Sequence, residues 1–258
     1  MQTQTTKIDA IVLAGGDGSV IDPQASVKGM IQIAGKPMVQ WVVEALRRAD
    51  SIRNIAVVLP PGQDSSPWEQ FIDHLVLSDG QISENMAAGL DVLPPSDFIV
   101  GVTSDIPTLT PEAIDDLCAQ TIARRADLAY PLLREAAMLA DYPGAQRTFV
   151  KIRGGKVTGG NAVVFNPHNF QRLYDFAQSL FDVRKSPLKL ASIAGPKFVF
   201  KLAAGNLDVR DVERRLKQLL DVDCAAIFSE HTSIGADVDK PADLAVAQTH
   251  LLSIIGDE

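Results

Sequence analysis

The sequence predicts an α/β fold: a mainly parallel mixed sheet layered between helices, α/β/α. Two observations carry this. Across residues 8–132, short apolar runs alternate with stretches whose apolar residues recur at helical spacing. The first run, Ile8–Leu13, ends in the glycine-rich turn Gly15-Gly-Asp-Gly18, and an amphipathic helix opens at Pro37. Strand, loop and helix in that order build a parallel sheet whose ligands sit beyond the carboxyl ends of its strands.

The elements follow in order. Met38, Val39, Val42, Val43, Ala45 and Leu46 share one helix face, and Ile55–Leu59 is a strand stopped by Pro60-Pro61-Gly62. Residues 67–75 read as a helix opening at Pro67, and Val76-Leu77 as a short strand. Met86, Leu90 and Leu93 mark the next helix, with Ser83 as its cap. Phe98–Thr103 is a buried strand ending at Ser104-Asp105-Ile106-Pro107, and Thr110-Pro111 caps and starts another helix. Leu128–Leu133 is a strand and 134–146 a loop holding a helical turn. Phe149–Ile152 and Lys156–Thr158 form a hairpin about Arg153-Gly-Gly155. Asn161–Phe165 is a strand, 168–220 is mostly helical, Ala225–Phe228 is a late strand and Pro241–Leu252 a closing helix.

Bulk properties narrow the function. The 258 residues suit one domain, 1–258, with no linker or repeat. A net charge of −8 argues against a broad nucleic-acid surface, so no nucleic-acid partner is expected. No apolar run approaches the roughly 20 residues of a membrane span, so no membrane partner is expected either. Cys118 and Cys224 lack metal-ligand spacing and read as thiols in a reducing compartment. The polar start, 1–7, has no signal-peptide core, and the expected location is cytoplasmic. Nothing in the sequence sets the oligomeric state.

The glycine turn lets backbone N–H groups face a ligand, and Lys28 adds a compact positive charge for phosphates. The spacing fits neither a dinucleotide fingerprint nor a P-loop, because no third glycine follows Gly18 in time and Gly35-Lys36 runs into Pro37. Asp105, at a strand end, suits a hard cation such as Mg²⁺. Asn85 offers donors and an acceptor for a base edge, beside Glu84. Arg147 can clamp a phosphate through two N–H groups. The Gly159-Gly160 backbone can pass close to a ligand while Asn161 bonds a hydroxyl. The histidines have no ligand spacing among them.

Leu13-Ala-Gly-Gly16, Lys28 and Gly35-Lys-Pro-Met38 resemble the opening of the molybdopterin cytidylyl- and guanylyltransferase type of NTP transferases. Sugar-phosphate nucleotidyltransferases open similarly. The resemblance implies the nucleotide-diphospho-sugar transferase (GT-A-like) fold, with 8–132 as the nucleotide-binding part and 133–258 as the acceptor-binding and C-terminal part. It implies transfer of an NMP moiety from an NTP to a phosphorylated small-molecule acceptor, with Mg²⁺. Lys28 would be the catalytic cation. Leu13, Ala14, Gly15, Gly16, Lys28, Glu84 and Asn85 would hold the nucleotide. Asp237-Val-Asp-Lys-Pro-Ala-Asp-Leu244 is similar to the family's Asp-Thr-Pro-Glu-Asp-Leu, so Asp105 and Asp239 would hold the metal, with Asp237 or the Asp221/Asp223 pair as alternatives and Asp243 at a helix start. Arg147, Thr148, Gly160 and Asn161 would meet the acceptor. The chain departs from the pattern at Val20, where the family has an arginine. That departure keeps a non-catalytic nucleotide- or sugar-nucleotide-binding protein in view. A glycosyltransferase on the same fold is the other alternative, weakened because Ser104-Asp105-Ile106-Pro107 is not Asp-x-Asp.

Overall fold

The computed structural model describes residues 7–145, 147–183, 186, 193 and 195–256. The polar start before Lys7, Gln146 in the acceptor segment and most of 184–194 in the helical stretch lie outside them. The sheet is mixed. β5 (His74–Leu77), β4 (Ile52–Leu59), β1 (Ile8–Leu13) and β6 (Ile99–Thr103) run parallel and adjacent in that order. β10 (Ala162–Phe165) follows, antiparallel to β6 and to β7 (Leu128–Arg134). β11 (Cys224–Phe228) lies parallel along the other edge of β7. β9 (Gly155–Gly159) and β8 (Val150–Ile152) close the sheet as an antiparallel hairpin.

The strand interiors are apolar on both faces because helices cover both. On β1, Ile8, Ala10 and Val12 belong to one core, with Val39, Val42 and Leu46 of α1 (Met38–Arg48) and Ile114 and Leu117 of α3 (Pro111–Arg124). Ile11, pointing the other way, joins Met86 of α2 (Ile82–Asp91) and Phe165. The single acid of β1, Asp9, is fully buried at the end remote from the glycine turn. It accepts hydrogen bonds from Arg53 at 3.0 and 2.7 Å and from the Asn54 side chain at 2.8 Å. Thr110 caps α3 as expected, accepting from the Ala113 N–H.

Four expectations are corrected. Residues 67–75 form a single 3-10 turn, Glu69–Phe71, and then the edge strand β5, which begins at His74 and pairs with Ala56–Leu59. The segment 134–146 contains a true helix, α4 (Glu135–Asp141), seated through the buried Met138. The first helix begins at Met38, after a two-strand turn, β2 (Gln32–Ile33) with β3 (Lys36–Pro37). Helix α2 is capped by Gln81 rather than Ser83, and the Gln81 N–H donates to Glu84 at 2.7 Å. Beyond β10 come α5 (Phe170–Val183), α6 (Pro196–Ala203), α7 (Val209–Leu220) and the closing helix α8 (Pro241–Gly256). Among the described residues, no helix is long and apolar enough to cross a membrane.

Candidate active site

Three remote stretches meet beyond the carboxyl ends of β1 and β6. The glycine turn sends the chain away from β1, with Gly16 at φ +89°, a conformation that favours glycine. The chain returns so that the Lys28 N–H donates to the Gly16 carbonyl at 2.9 Å. Gly29 then lies flat on the strand ends. A Cβ there would stand 2.5 Å from Ser104 Oγ and 3.2 Å from the Ala14 carbonyl. Ser104 is itself tied to β1 through its N–H to the Leu13 carbonyl at 3.1 Å. Leu13 and Ala14 therefore act through their backbone, as the platform under the lysine.

The C-terminal stretch is placed by Val238. That side chain is fully buried with Ile21, Ile31, Ile33, Met38, Ala247 and Leu251, so one small core joins the lysine strap to α8. The Val238 N–H donates to the Asp105 carbonyl at 2.9 Å. In an extended segment, alternate side chains share a side. Asp237 and Asp239 flank Val238 and both turn toward Asp105. Carboxylate oxygens of Asp105, Asp237 and Asp239 lie within 4.8 Å of one another. The Asp239 and Lys240 N–H groups donate to Asp243 at 3.2 and 3.0 Å, so Asp243 serves the start of α8.

Two cations face these three carboxylates. Lys28 Nζ bridges Asp105 and Asp239 at 2.5 Å each. Thr103 Oγ1 donates to the other oxygen of Asp105, also at 2.5 Å. Burial alone would lower the Lys28 ammonium, but Asp105 and then Asp239 outweigh it and hold the group above its ordinary value. Arg147 pairs with Asp237 and donates to the Gly159 carbonyl at 3.3 Å. Its Nε is buried without a hydrogen-bond partner among the described residues. Burial moves its guanidinium below the usual arginine range, against the pull of Asp239 and other nearby groups.

Other candidate residues stand further off or act locally. The Asn85 side chain accepts from Ser78 Oγ at 2.7 Å and donates to the Gly80 carbonyl at 3.0 Å. With Glu84 on the Gln81 N–H, both side chains hold the turn after β5. That turn is on the same strand-end side of the sheet, three strand spacings or about 14 Å across from β6. Gly160 is buried against Pro131 and Ile234, with its N–H on the Pro131 carbonyl. Asn161 joins the site through its carbonyl, which accepts from the Thr103 N–H at 3.1 Å. Thr148 is exposed. Asp221 and Asp223 bond Lys217 beside α7, apart from the three carboxylates. Lys36 is held by Glu44 at 2.7 Å and lies over the Trp41 ring, so it covers α1. Val20 is 68% exposed in the glycine turn. The sequence reading missed Thr103, Gly29 and Ser104, and it ranked Asp237 only as an alternative. The period-2 spacing of Asp237 and Asp239 was the available signal.

The MobA-like NTP transferase domain matches residues 10–189. A 2-C-methyl-D-erythritol 4-phosphate cytidylyltransferase of Bifidobacterium longum is 29% identical over 126 residues, 46% of this chain and 41% of that protein. The chain spans about half, or less, of the length of the curated relatives it matches. A hypothetical transferase from Thermus thermophilus superposes with a TM-score of 0.79 at 30% identity, covering 93% of this chain and all of that one. A CMP:2-keto-3-deoxy-manno-octonic acid synthetase complexed with CTP superposes at 0.58 over 97% of this chain and 99% of that one, with 14% identity, a likeness of fold alone. Glycine turn, bridging lysine, strand-end aspartate and whole-length superposition converge, and the chain belongs to the MobA-like NTP transferase domain family of the nucleotide-diphospho-sugar transferase fold.

Proposed function

We propose that this protein is a nucleotidyltransferase that moves an NMP moiety from an NTP to a phosphorylated small-molecule acceptor and releases pyrophosphate. The observation that supports this most is the convergence of Lys28, Asp105 and Asp239 from separate stretches onto one point. Three carboxylates with mutually close oxygens form a hard, all-oxygen donor set, which fits Mg²⁺. Asp105 and Asp239, with Asp237 beside them, would hold that ion, and when bound it supplies charge neutralisation at the phosphates.

The chain's own residues do the rest by positioning and electrostatics. The backbone from Leu13 to Gly16 receives the triphosphate. Lys28 exchanges its carboxylate partners for phosphate oxygens and offsets the negative charge that grows on the leaving pyrophosphate. An acceptor phosphate oxygen forms a bond to the α-phosphorus as the bond from that phosphorus to the β-phosphate's bridging oxygen breaks. No side-chain nucleophile is needed. Arg147 and the backbone at Asn161 orient the acceptor from the β9–β10 side. The chain works as one domain in the cytoplasm on this reading. Relatives named as cytidylyltransferases make CTP the first nucleotide to test.

A binding protein without catalysis is the second reading, favoured by the exposed Val20 in the turn. Pyrophosphate release from each NTP, against a panel of sugar and polyol phosphates, separates the two. Release that requires an acceptor and is lost in Asp105→Ala supports the transferase. Tight NTP binding with no release for any acceptor supports the binder.

A further inference from the structure

Helix α7 is tied to β11, where Glu213 accepts from the Ala226 N–H at 2.9 Å, but with α5 it leaves space over the second half of the sheet. Between them and strands β7, β9 and β11 lies a cavity of about 600 Å³. It is partly open to solvent, and clefts of this size take small organic ligands. The core on the α2 face ends at its wall, because Leu128 and Leu173 pack against that core and also line the cavity. Tyr130 and Leu132, alternate residues of β7, continue the wall. Tyr130 is 41% exposed there and Val150, on β8, 44%. Apolar side chains left facing such a space favour an apolar occupant.

The cavity borders the candidate active site on its Arg147 side. Thr148, Thr158 and Gly159 line it, and Arg147 adjoins Thr148 and donates to the Gly159 carbonyl. The Tyr130 ring lies directly over Gly159, so close that a Cβ there would stand 2.1 Å from its hydroxyl. A molecule whose phosphate reached Arg147 would thus have its remainder beside Tyr130 and in the cavity. We propose that the acceptor is a phosphomonoester with an apolar body, and that this cavity seats the body. The assignment rests on the transferase reading for the word acceptor, but the apolar site itself can be tested without a nucleotide.

The test compares octyl phosphate with ethyl phosphate, by calorimetry on the full chain. Each buried methylene favours binding about fourfold. Octyl phosphate is therefore expected to bind at least roughly a hundredfold tighter, with intermolecular NOEs from its chain to the methyl groups of Leu132 and Leu216. Ala226→Phe, which fills the cavity from β11, should erase most of that preference and leave NTP affinity unchanged. Leu216→Trp fills it from α7 and serves if the first variant fails to fold. Equal affinities in the wild type overturn the proposal, as does a preference that survives both fillings. A dimer in which a second copy covers the cavity overturns it too. NTP affinity is measured on the same samples. A preference for the octyl chain without NTP binding removes the transferase reading and upholds the apolar site; NTP binding without the preference overturns the apolar site alone.

Discussion

Lys28 has a double part. Without ligands it balances Asp105 and Asp239; with a nucleotide it would have to leave them for phosphate oxygens. Lys28→Ala should therefore separate two affinities. Without nucleotide, Mg²⁺ should bind more tightly, because its competitor on the carboxylates is gone. NTP binding should weaken by roughly tenfold to a hundredfold, the loss of one charge-assisted contact of about 1.5–3 kcal/mol, and transfer should fall below detection. Calorimetry with Mg²⁺ alone and with NTP plus Mg²⁺ reads both, and a loss in both would mean that Lys28 only holds the fold together. Val20 belongs to the same scale. Its side chain brings no charge to a turn that would cradle phosphates, and it is exposed enough to be replaced without repacking. Val20→Arg should tighten NTP binding about tenfold, and an unchanged affinity would show that the turn does not receive the triphosphate.

At the scale of elements, the site depends on how closely the lysine strap lies on β1 and β6. Gly29→Ala places a methyl group against Ser104 and the Ala14 carbonyl. The strap must lift, at a cost of about 1–3 kcal/mol in stability. NTP affinity should fall with it, although residue 29 carries no functional group. Urea unfolding and calorimetry check this, and a variant of wild-type stability and affinity would show the contact to be slack. The sequence made some of these elements plain and hid others. β1, β6 and α3 carried long apolar runs or a capped start, and they appear where expected. β5 was legible only as Val76-Leu77, because His-Leu-Val-Leu is too short to have a period of its own and is a strand through β4 beside it. Helix α4 has seven residues, and its N-cap, Arg134, makes no capping side-chain bond, so packing through Met138 decides it. Asp105 and Asp239 stood out because each sits in a recognisable segment. Asp237 gained its place only through Val238, whose burial against the lysine strap is a tertiary fact. Asn85, which read as a base contact, also accepts from Ser78 and donates to the Gly80 carbonyl, so it helps to hold its own turn.

At the scale of the molecule, buried acidic protons should limit stability at alkaline pH, Cys118 and Tyr142 most of all. Burial pushes the Cys118 thiol from 9.0 to about 12, and the Tyr142 phenol from 10.0 to about 12. The folded chain holds these protons more tightly than the unfolded one, so their stabilising effect is complete below the unfolded values. It is lost as pH rises from 9.0 for Cys118 and from 10.0 for Tyr142 toward about 12. The urea midpoint should fall steadily above about pH 9, and Cys118→Ala should flatten the first part of that fall. A midpoint that stays level to about pH 11 would contradict the burial of both groups.

The most direct test of the central claim is the melting temperature of the whole chain with CTP, with Mg²⁺, and with both, in the wild type and in Asp105→Ala. A ligand that binds only the folded state raises the midpoint by mass action. A rise of several degrees is expected with CTP or another NTP plus Mg²⁺, little with either alone, and none of the combined effect in Asp105→Ala. No rise with any NTP, or the same rise in Asp105→Ala, would contradict it.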